Sequence, residues 1–281
     1  MKDIVIIYHA DCPDGFSGAW AAWKKFGDKA DYIPAGYGEP VLKGLENKEI
    51  YFIDFMYDQY DEKGLRDLIR RNKRVTAIDH HVSKEKLVKL TQDYSYAVDH
   101  SGAVLAWQYF HKDKLVPSLL KYVEGGDLWK FDLPDATAVV TYIDSLNYDF
   151  AVWDKLVRDV EDSKKRKKFI EKGEFMVSYK EEMVKKIIEE NAKIVEFEGH
   201  QVYAVNAPHE FASEIGHILY NKKPHFALTW TEDKLGVHVS LRSDGLVDVS
   251  KIAEKYGGGG HKTSAGFTLP SVTSFPWREK K

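Results

Sequence analysis

Apolar positions along the chain follow two periods, and their alternation predicts the architecture. Ile4-Val5-Ile6-Ile7-Tyr8, Ile50-Tyr51-Phe52-Ile53 and Val75-Thr76-Ala77-Ile78 are short unbroken runs of the kind that form strands covered on both faces. Between them the spacing changes to three and four. Phe16, Ala19, Trp20 and Trp23 follow Gly15 in this way, and Leu65, Leu68 and Ile69 do so within Tyr60–Asn72, so both stretches predict helices. Ala30 to Ile33 reads as a further short strand, and Pro34 to Pro40 as a loop by its Gly and Pro content. Strand, helix, strand repeats imply right-handed crossovers, and hence a parallel sheet flanked by helices.

The pattern then becomes helical. Ser101-Gly102 predicts the capped start of a helix carrying Val104, Leu105, Trp107 and Phe110. Leu119 to Val123 forms another apolar run, and Gly125-Gly126 predicts a sharp turn that leaves Asp127 in a loop. Residues 149–192 are strongly charged but keep helical apolar spacing, which predicts a helical connector; its Lys164-Lys165-Arg166-Lys167-Lys168 run reads as a solvated face, with a nucleic-acid contact as the alternative. Strand signals resume at Ile194 to Phe197 and Gln201 to Val205, joined as a hairpin across Glu198-Gly199-His200. A helix over Phe211 to Tyr220 follows, then a strand pair, Phe226 to Thr231 and Leu235 to Leu241. A short helix from Val249 to Tyr256 feeds Gly257-Gly258-Gly259-Gly260-His261, Gly266 to Leu269 is a last strand, and Pro270 to Lys281 reads as a tail. The expected organisation is therefore 1–148, a parallel α/β domain; 149–192, the connector; 193–270, a smaller α/β domain with a mixed sheet; and 271–281, the tail.

Composition narrows the class. The 281 residues, 43% of them hydrophobic, suffice for two cores, and no apolar run approaches the ~20 residues of a membrane helix. A single cysteine excludes an internal disulfide framework and suits a cytoplasmic, reducing setting. The net charge of −3 argues against a dedicated binder of long nucleic acid. A homodimer is allowed by the sequence.

The chemistry is expected at the strand ends. The first strand runs into His9, Asp11 and Asp14; the second ends at Asp54; the third ends in Asp79-His80-His81. In open α/β sheets ligands collect outside the carboxyl ends of the strands. Four carboxylates there, Asp11, Asp14, Asp54 and Asp127, repel one another unless cations lie between them. Mixed oxygen and imidazole donors suit two divalent ions, manganese or magnesium, and Asp54 from the middle strand is the expected bridge. The competing structural role for Asp14 is a helix N-cap. Gly258, Gly259 and Gly260 expose amides that can wrap an anion, with His261 beside them and Arg242 as a guanidinium donor to phosphate. A P-loop is excluded, because its glycine positions are occupied by Tyr256 and His261. Cys12 is expected to pack, the tryptophans 20, 23, 107 and 153 to lie in the core, and His209, His217, His225 and His238 to lack carboxylate partners. Trp129 and Phe131, close after Asp127, are placed to stack on a base.

These motifs, His9-Ala10-Asp11-Cys12-Pro13-Asp14-Gly15, Asp54, Asp79-His80-His81, Asp127 and the run from Gly257 to Phe267, together resemble the DHH/DHHA1 phosphoesterase family, in its nano-RNase and 3′-phosphoadenosine 5′-phosphate phosphatase-like branch. The first-motif aspartates are commonly one residue apart in that family, whereas Cys12 and Pro13 separate them here. The resemblance implies a two-manganese hydrolase whose C-terminal domain presents substrate across a cleft. It places His9, Asp11 and Asp54 on one ion and Asp14, Asp54, His80 and Asp127 on the other, with His81 facing the substrate phosphate and Asp79 supporting a histidine. Size and charge favour short oligonucleotides or small nucleotides as substrate; the alternatives are a single-strand exonuclease, a polyphosphate or pyrophosphate hydrolase, and a non-catalytic nucleotide-binding module.

Overall fold

The computed structural model describes residues 1–36, 39–57, 61–234, 236–270 and 275–279. Tyr37 and Gly38 of the expected loop, Tyr60 at the expected helix start, Leu235 at an expected strand start, and 271–274 with 280–281 of the expected tail lie outside them. The chain divides into two compact units, 1–177 and 178–281.

The first unit is built on a five-stranded parallel sheet of β1 (Ile4–His9), β2 (Ala30–Ala35), β3 (Glu49–Ile53), β4 (Arg74–Asp79) and β5 (Asp93–Tyr96), in the order β2-β1-β3-β4-β5. Ile7 stands beside Ile33 and Phe52, and Ile53 beside Ile78. The period of two along β1 divides its side chains: Val5 and Ile7 join a core with Phe52, Val75 and Ala77, while Ile6 joins a core with Ile53 and Ile78 on the other face. Burial on both faces is why these strands read as unbroken apolar runs. The strand order reverses between β1 and β3, so the carboxyl ends of these two strands flank the crevice where such sheets bind ligands.

Helices α1 (Pro13–Phe26), α2 (Glu62–Arg71) and the one-turn α3 (Glu85–Val88) alternate with the strands. Beyond β5 come α4 (Gly102–Phe110), α5 (Ser118–Asp127), α6 (Ala136–Asp144), α7 (Phe150–Glu161) and α8 (Ser163–Asn191). Trp20 of α1 stacks on Trp107 of α4 with centroids 5.4 Å apart, and the buried Trp153 donates from Nε1 to Ser17 Oγ at 3.0 Å. Helix α7 thus belongs to the first core rather than standing as a separate connector, and the division between units falls inside α8.

Asp127 corrects the expectation drawn from its paired glycines, because α5 runs through Gly125 and Gly126 and Asp127 is its last residue. The glycines serve packing. A Cβ on Gly126 would sit 2.9 Å from Cγ1 of Val140 on α6.

The second unit holds a seven-stranded mixed sheet of β6 (Lys193–Phe197), β7 (His200–Asn206), β8 (Phe226–Asp233), β9 (Gly236–Ser243), β10 (Gly259–Gly260), β11 (Ser264–Leu269) and β12 (Arg278–Glu279), in the order β10-β11-β9-β8-β7-β6-β12, with α9 (Ala212–Lys222) and α10 (Val249–Lys255) on it. Among the described residues of this sheet only β7 and β8 pair in parallel. Positive φ at Glu198 and Gly199 makes the tight β6–β7 turn anticipated there. The segment expected to be a tail instead closes the sheet: Arg278 and Glu279 pair with Glu196 and Val195, and the Trp277 ring lies 5.9 Å from Phe197 and 4.5 Å from Phe275. Burial of two aromatics anchors it.

Candidate metal centre

Asp54 follows β3 directly and adopts φ +54°, the left-handed conformation that aspartate tolerates better than most residues. Its amide donates to Ile78 O at 2.9 Å, which ties the turn to β4. The carboxylate is buried, and its two oxygens face different histidines. Oδ2 lies 3.4 Å from His9 Nδ1, at the end of β1, and Oδ1 lies 3.2 Å from His80 Nε2, just past β4. His80 Nε2 also stands 3.8 Å from Asp14 Oδ2 and 3.5 Å from Asp127 Oδ2. Strand ends and helix ends therefore converge on one point.

Asp14 does cap a helix, but a different one from that expected. It lies in the first turn of α1, and its carboxylate accepts from the amides of Gly102 at 2.7 Å and Ala103 at 3.0 Å, the open N-terminus of α4. The helix dipole and the two amides favour a negative charge there. Gly102 has no room for a side chain: a Cβ would lie 2.6 Å from Asp54 Cβ and 2.9 Å from Asp14 Oδ2. Ser101 caps the same helix through Oγ to Val104 N at 3.4 Å, as its sequence position suggested.

Asp79, wholly buried at the end of β4, turns its Oδ1 onto the residues that follow. It accepts from the amides of His80 at 2.7 Å and His81 at 3.0 Å, and lies 2.8 Å from His81 Nδ1. The histidine it orients is thus His81. Its Oδ2 has no hydrogen-bond partner among the described residues.

Opposing effects of burial and charge set the pKa values in this corner. Burial alone would lower the His80 pKa, but the hydrogen bond to Asp54 and the charges of Asp127, Asp54 and Asp14 push it up to about 10. His9 is raised through Asp54 against the same opposing burial. Burial would raise Asp54, yet its bonds to His80 and His9 hold it far below the usual carboxylate range. Asp14 and Asp127 go the other way, raised by burial first. Carboxylates gathered in this way call for positive charge among them.

The donor atoms fit such cations. Within the first unit they gather as His9, Cys12 and Asp54; as Asp14, His80 and Asp127; and as Asp54, Asp79 and His81, each set lying within 4.8 Å. Asp54 belongs to two of the three sets. Burial raises the Cys12 thiol well above its ordinary pKa, and its Sγ lies 3.7 Å from Asp54 Oδ2, so it packs as a protonated thiol. Asp11 is exposed at φ +49° and stands in none of these sets.

The second-unit residues are arranged differently. The amides of Gly257, Gly258 and His261 donate to the carbonyls of Glu254, Ala253 and Ser264, and Gly259 and Gly260 pair with Gly266 and Ala265 in the β10–β11 ladder. The amides of Gly257, Gly258 and His261 are thus engaged within the domain. A Cβ on Gly258 would lie 2.0 Å from Gly266 O, so close strand approach explains that glycine. Arg242 lies within β9, its guanidinium donating to Ser213 Oγ at 2.9 Å and Leu241 O at 3.0 Å. Burial lowers its pKa to about 10. Two scattered histidines do have carboxylate company: His225 Nδ1 lies 2.9 Å from Asp244 Oδ2, and His238 Nε2 2.9 Å from Asp233 Oδ1.

Comparison with known proteins now bears on this arrangement. A family model described as the DHHA1 domain matches residues 209–277. Among solved structures, the chain is similar to the DHH domain of a member of a family of ribosomal proteins, with TM-score 0.67 and 15% identity over 95% of this chain and 82% of the other. The chain has the fold of that DHH domain, and residues 209–277 match the DHHA1 domain. An exopolyphosphatase-related protein from Bacteroides fragilis is similar over 98% of this chain and 88% of its own, with TM-score 0.50 and 14% identity. In sequence, 95% of the chain is 28% identical to 68% of an uncharacterized protein of Acanthamoeba polyphaga mimivirus. The DHHA1 match starts within the short turn before α9 and ends at Trp277, so it takes in the segment read from sequence as a tail. Among the described residues no helix is long and apolar enough to cross a membrane.

Proposed function

We propose that the protein is a metal-dependent phosphoesterase that hydrolyses phosphodiester or phosphomonoester bonds of short oligonucleotides or small nucleotides. The carrying observation is Asp54, whose two oxygens face His9 and His80 from a buried, left-handed turn. A carboxylate so placed can bridge two cations, one held with His9 and the other with Asp14, His80 and Asp127. When bound, the cations, manganese by donor type with magnesium as the other candidate, supply Lewis-acid chemistry: they neutralise charge on the phosphoryl group and acidify a water.

The chain's own residues do the rest. Asp79 holds His81 through Nδ1, fixing the ring that is to meet the substrate phosphate. Asp14 binds α4 as well as facing His80, so it anchors the centre to the helix behind it. Arg242, a half-buried guanidinium with hydroxyl and carbonyl partners, is the proposed phosphate donor of the DHHA1 domain. The net charge of −3 favours small substrates over long strands, which call for a larger basic surface. The single cysteine suits a cytoplasmic setting.

The test is a manganese-supplemented panel running from dinucleotides to long strands, with 3′-phosphoadenosine 5′-phosphate and pyrophosphate. Short substrates are expected to turn over fastest, with little dependence on salt. Manganese binding without hydrolysis of any member would replace this reading with a nucleotide-binding module.

A further inference from the structure

Immediately after Asp127 the chain adopts a conformation that its side chains oppose. Trp129 has φ +56° and Phe131 φ +47°, the left-handed region in which a bulky residue is a genuine outlier. The turn is held from below: Trp129 N donates to Gly126 O at 3.1 Å, and the amides of Lys130 and Phe131 both donate to Gly125 O, at 2.8 and 3.2 Å. A glycine at 129 would meet this geometry without strain. The tryptophan is nonetheless 40% exposed. The Phe131 ring stands edge-on to it at 5.0 Å. An indole steadied at one edge, with its surface partly in solvent, is kept at a backbone position that disfavours it. Strain of this kind at an observed outlier points to a task outside folding.

Location indicates the task. Asp127 Oδ2 lies 3.5 Å from His80 Nε2 in the metal centre, and two residues of chain span at most about 7 Å, so the Trp129 side chain is rooted within one nucleotide's reach of the reacting phosphate. We propose that Trp129 is the platform on which a nucleobase of the substrate stacks, with Phe131 holding the indole in place; this rests on the phosphoesterase reading. A π-face accepts any base, so the platform selects for a nucleotide without selecting its sequence.

The test compares a dinucleotide with its abasic analogue, using the parent, Trp129→Gly and Trp129→Phe. Trp129→Gly is expected to lower the kcat/KM preference for the dinucleotide about tenfold, through KM, since stacking on one aromatic ring typically contributes a factor of this order. Trp129→Phe should recover most of the preference. Because glycine relieves the left-handed strain, the melting temperature of Trp129→Gly should not fall, which separates lost stacking from a damaged fold. An unchanged preference, or an equal loss on both substrates, overturns the platform. If the parent hydrolyses neither substrate, the phosphoesterase reading fails separately, and the platform is judged by dinucleotide Kd, expected about tenfold weaker in Trp129→Gly and equal to the parent's if the proposal is wrong.

Discussion

The corner around Asp54 and the glycine run from Gly257 to Gly260 both stand out in the sequence, yet the structure explains them differently. At Asp54 the groups are charged and mutually repulsive: the buried Asp14 and Asp54 and the more exposed Asp127 face one histidine, and desolvation together with neighbouring charge drives Asp14 and Asp127 toward protonation. Nothing about folding asks for that arrangement, since buried charge costs stability unless it is compensated. In the glycine run the opposite holds. Gly258 lies against the Gly266 carbonyl and Gly260 against Ser264, with the neighbouring amides bonded to carbonyls, so steric need alone accounts for both residues. Clustered carboxylates that share too few positive partners mark a site, whereas clustered glycine marks a close approach until something further is shown.

Substitutions can break this contrast. The largest effect is expected from Asp54→Asn, which removes the charge between the two histidines; loss of Lewis-acid stabilisation of several kcal/mol corresponds to about 10³-fold or more in kcat. Steady-state kinetics at saturating manganese would measure it, and near-parental turnover would place the chemistry elsewhere. His81→Ala should likewise depress turnover, but with manganese affinity kept, while Asp79→Asn should cost about 10- to 100-fold in activity because it acts through His81. Metal titration beside kinetics separates the three.

Two glycine substitutions sharpen the comparison at the level of stability. Gly102→Ala drives a methyl into Asp54 and Asp14, so it should lower stability by about 1–3 kcal/mol and weaken manganese binding together. Gly258→Ala clashes with backbone and should destabilise by a similar ~1–3 kcal/mol, yet leave manganese affinity at the parental value. Denaturant unfolding with a parallel metal titration checks both, and a manganese defect in Gly258→Ala would contradict the division of roles.

A gentler probe is pH. In the metal-free protein His80 holds its proton up to a pKa of about 10, and a cation must displace that proton. Manganese affinity should therefore rise with pH from 6 to 9, by up to about tenfold per unit for each proton released. Calorimetry in buffers of different ionisation enthalpy would count the protons; flat affinity across that range would mean that His80 is no ligand. The smallest effect is expected at the solvated lysine face, where Lys168→Ala should change stability by less than about 0.5 kcal/mol.

Much of the first unit was legible because strands buried on two faces leave unbroken apolar runs, and their ends mark where polar residues leave the core. That logic found Asp54, His80 and His9 together. It could not find Gly102, since no spacing links position 102 to Asp14, 88 residues earlier, and only the folded chain brings the α4 amides onto that carboxylate. Local propensity also misled where tertiary packing prevailed: Gly125-Gly126 reads as a turn but is helix, with Gly126 kept small by Val140. Residues after Pro270 read as a tail because Pro, Ser and Thr dominate their start, while what orders the end is Trp277 landing on Phe197. The carboxylate partners of His225 and His238 were equally hidden, each supplied across strand ends that spacing does not reveal.

The central claim is that the Asp54 corner is a two-cation site. Titrating chelator-stripped protein with manganese, beside Asp54→Asn, tests it most directly. The account predicts two ions per chain in the parent and a marked loss of both affinity and stoichiometry in the variant; equal binding by the two proteins would contradict it.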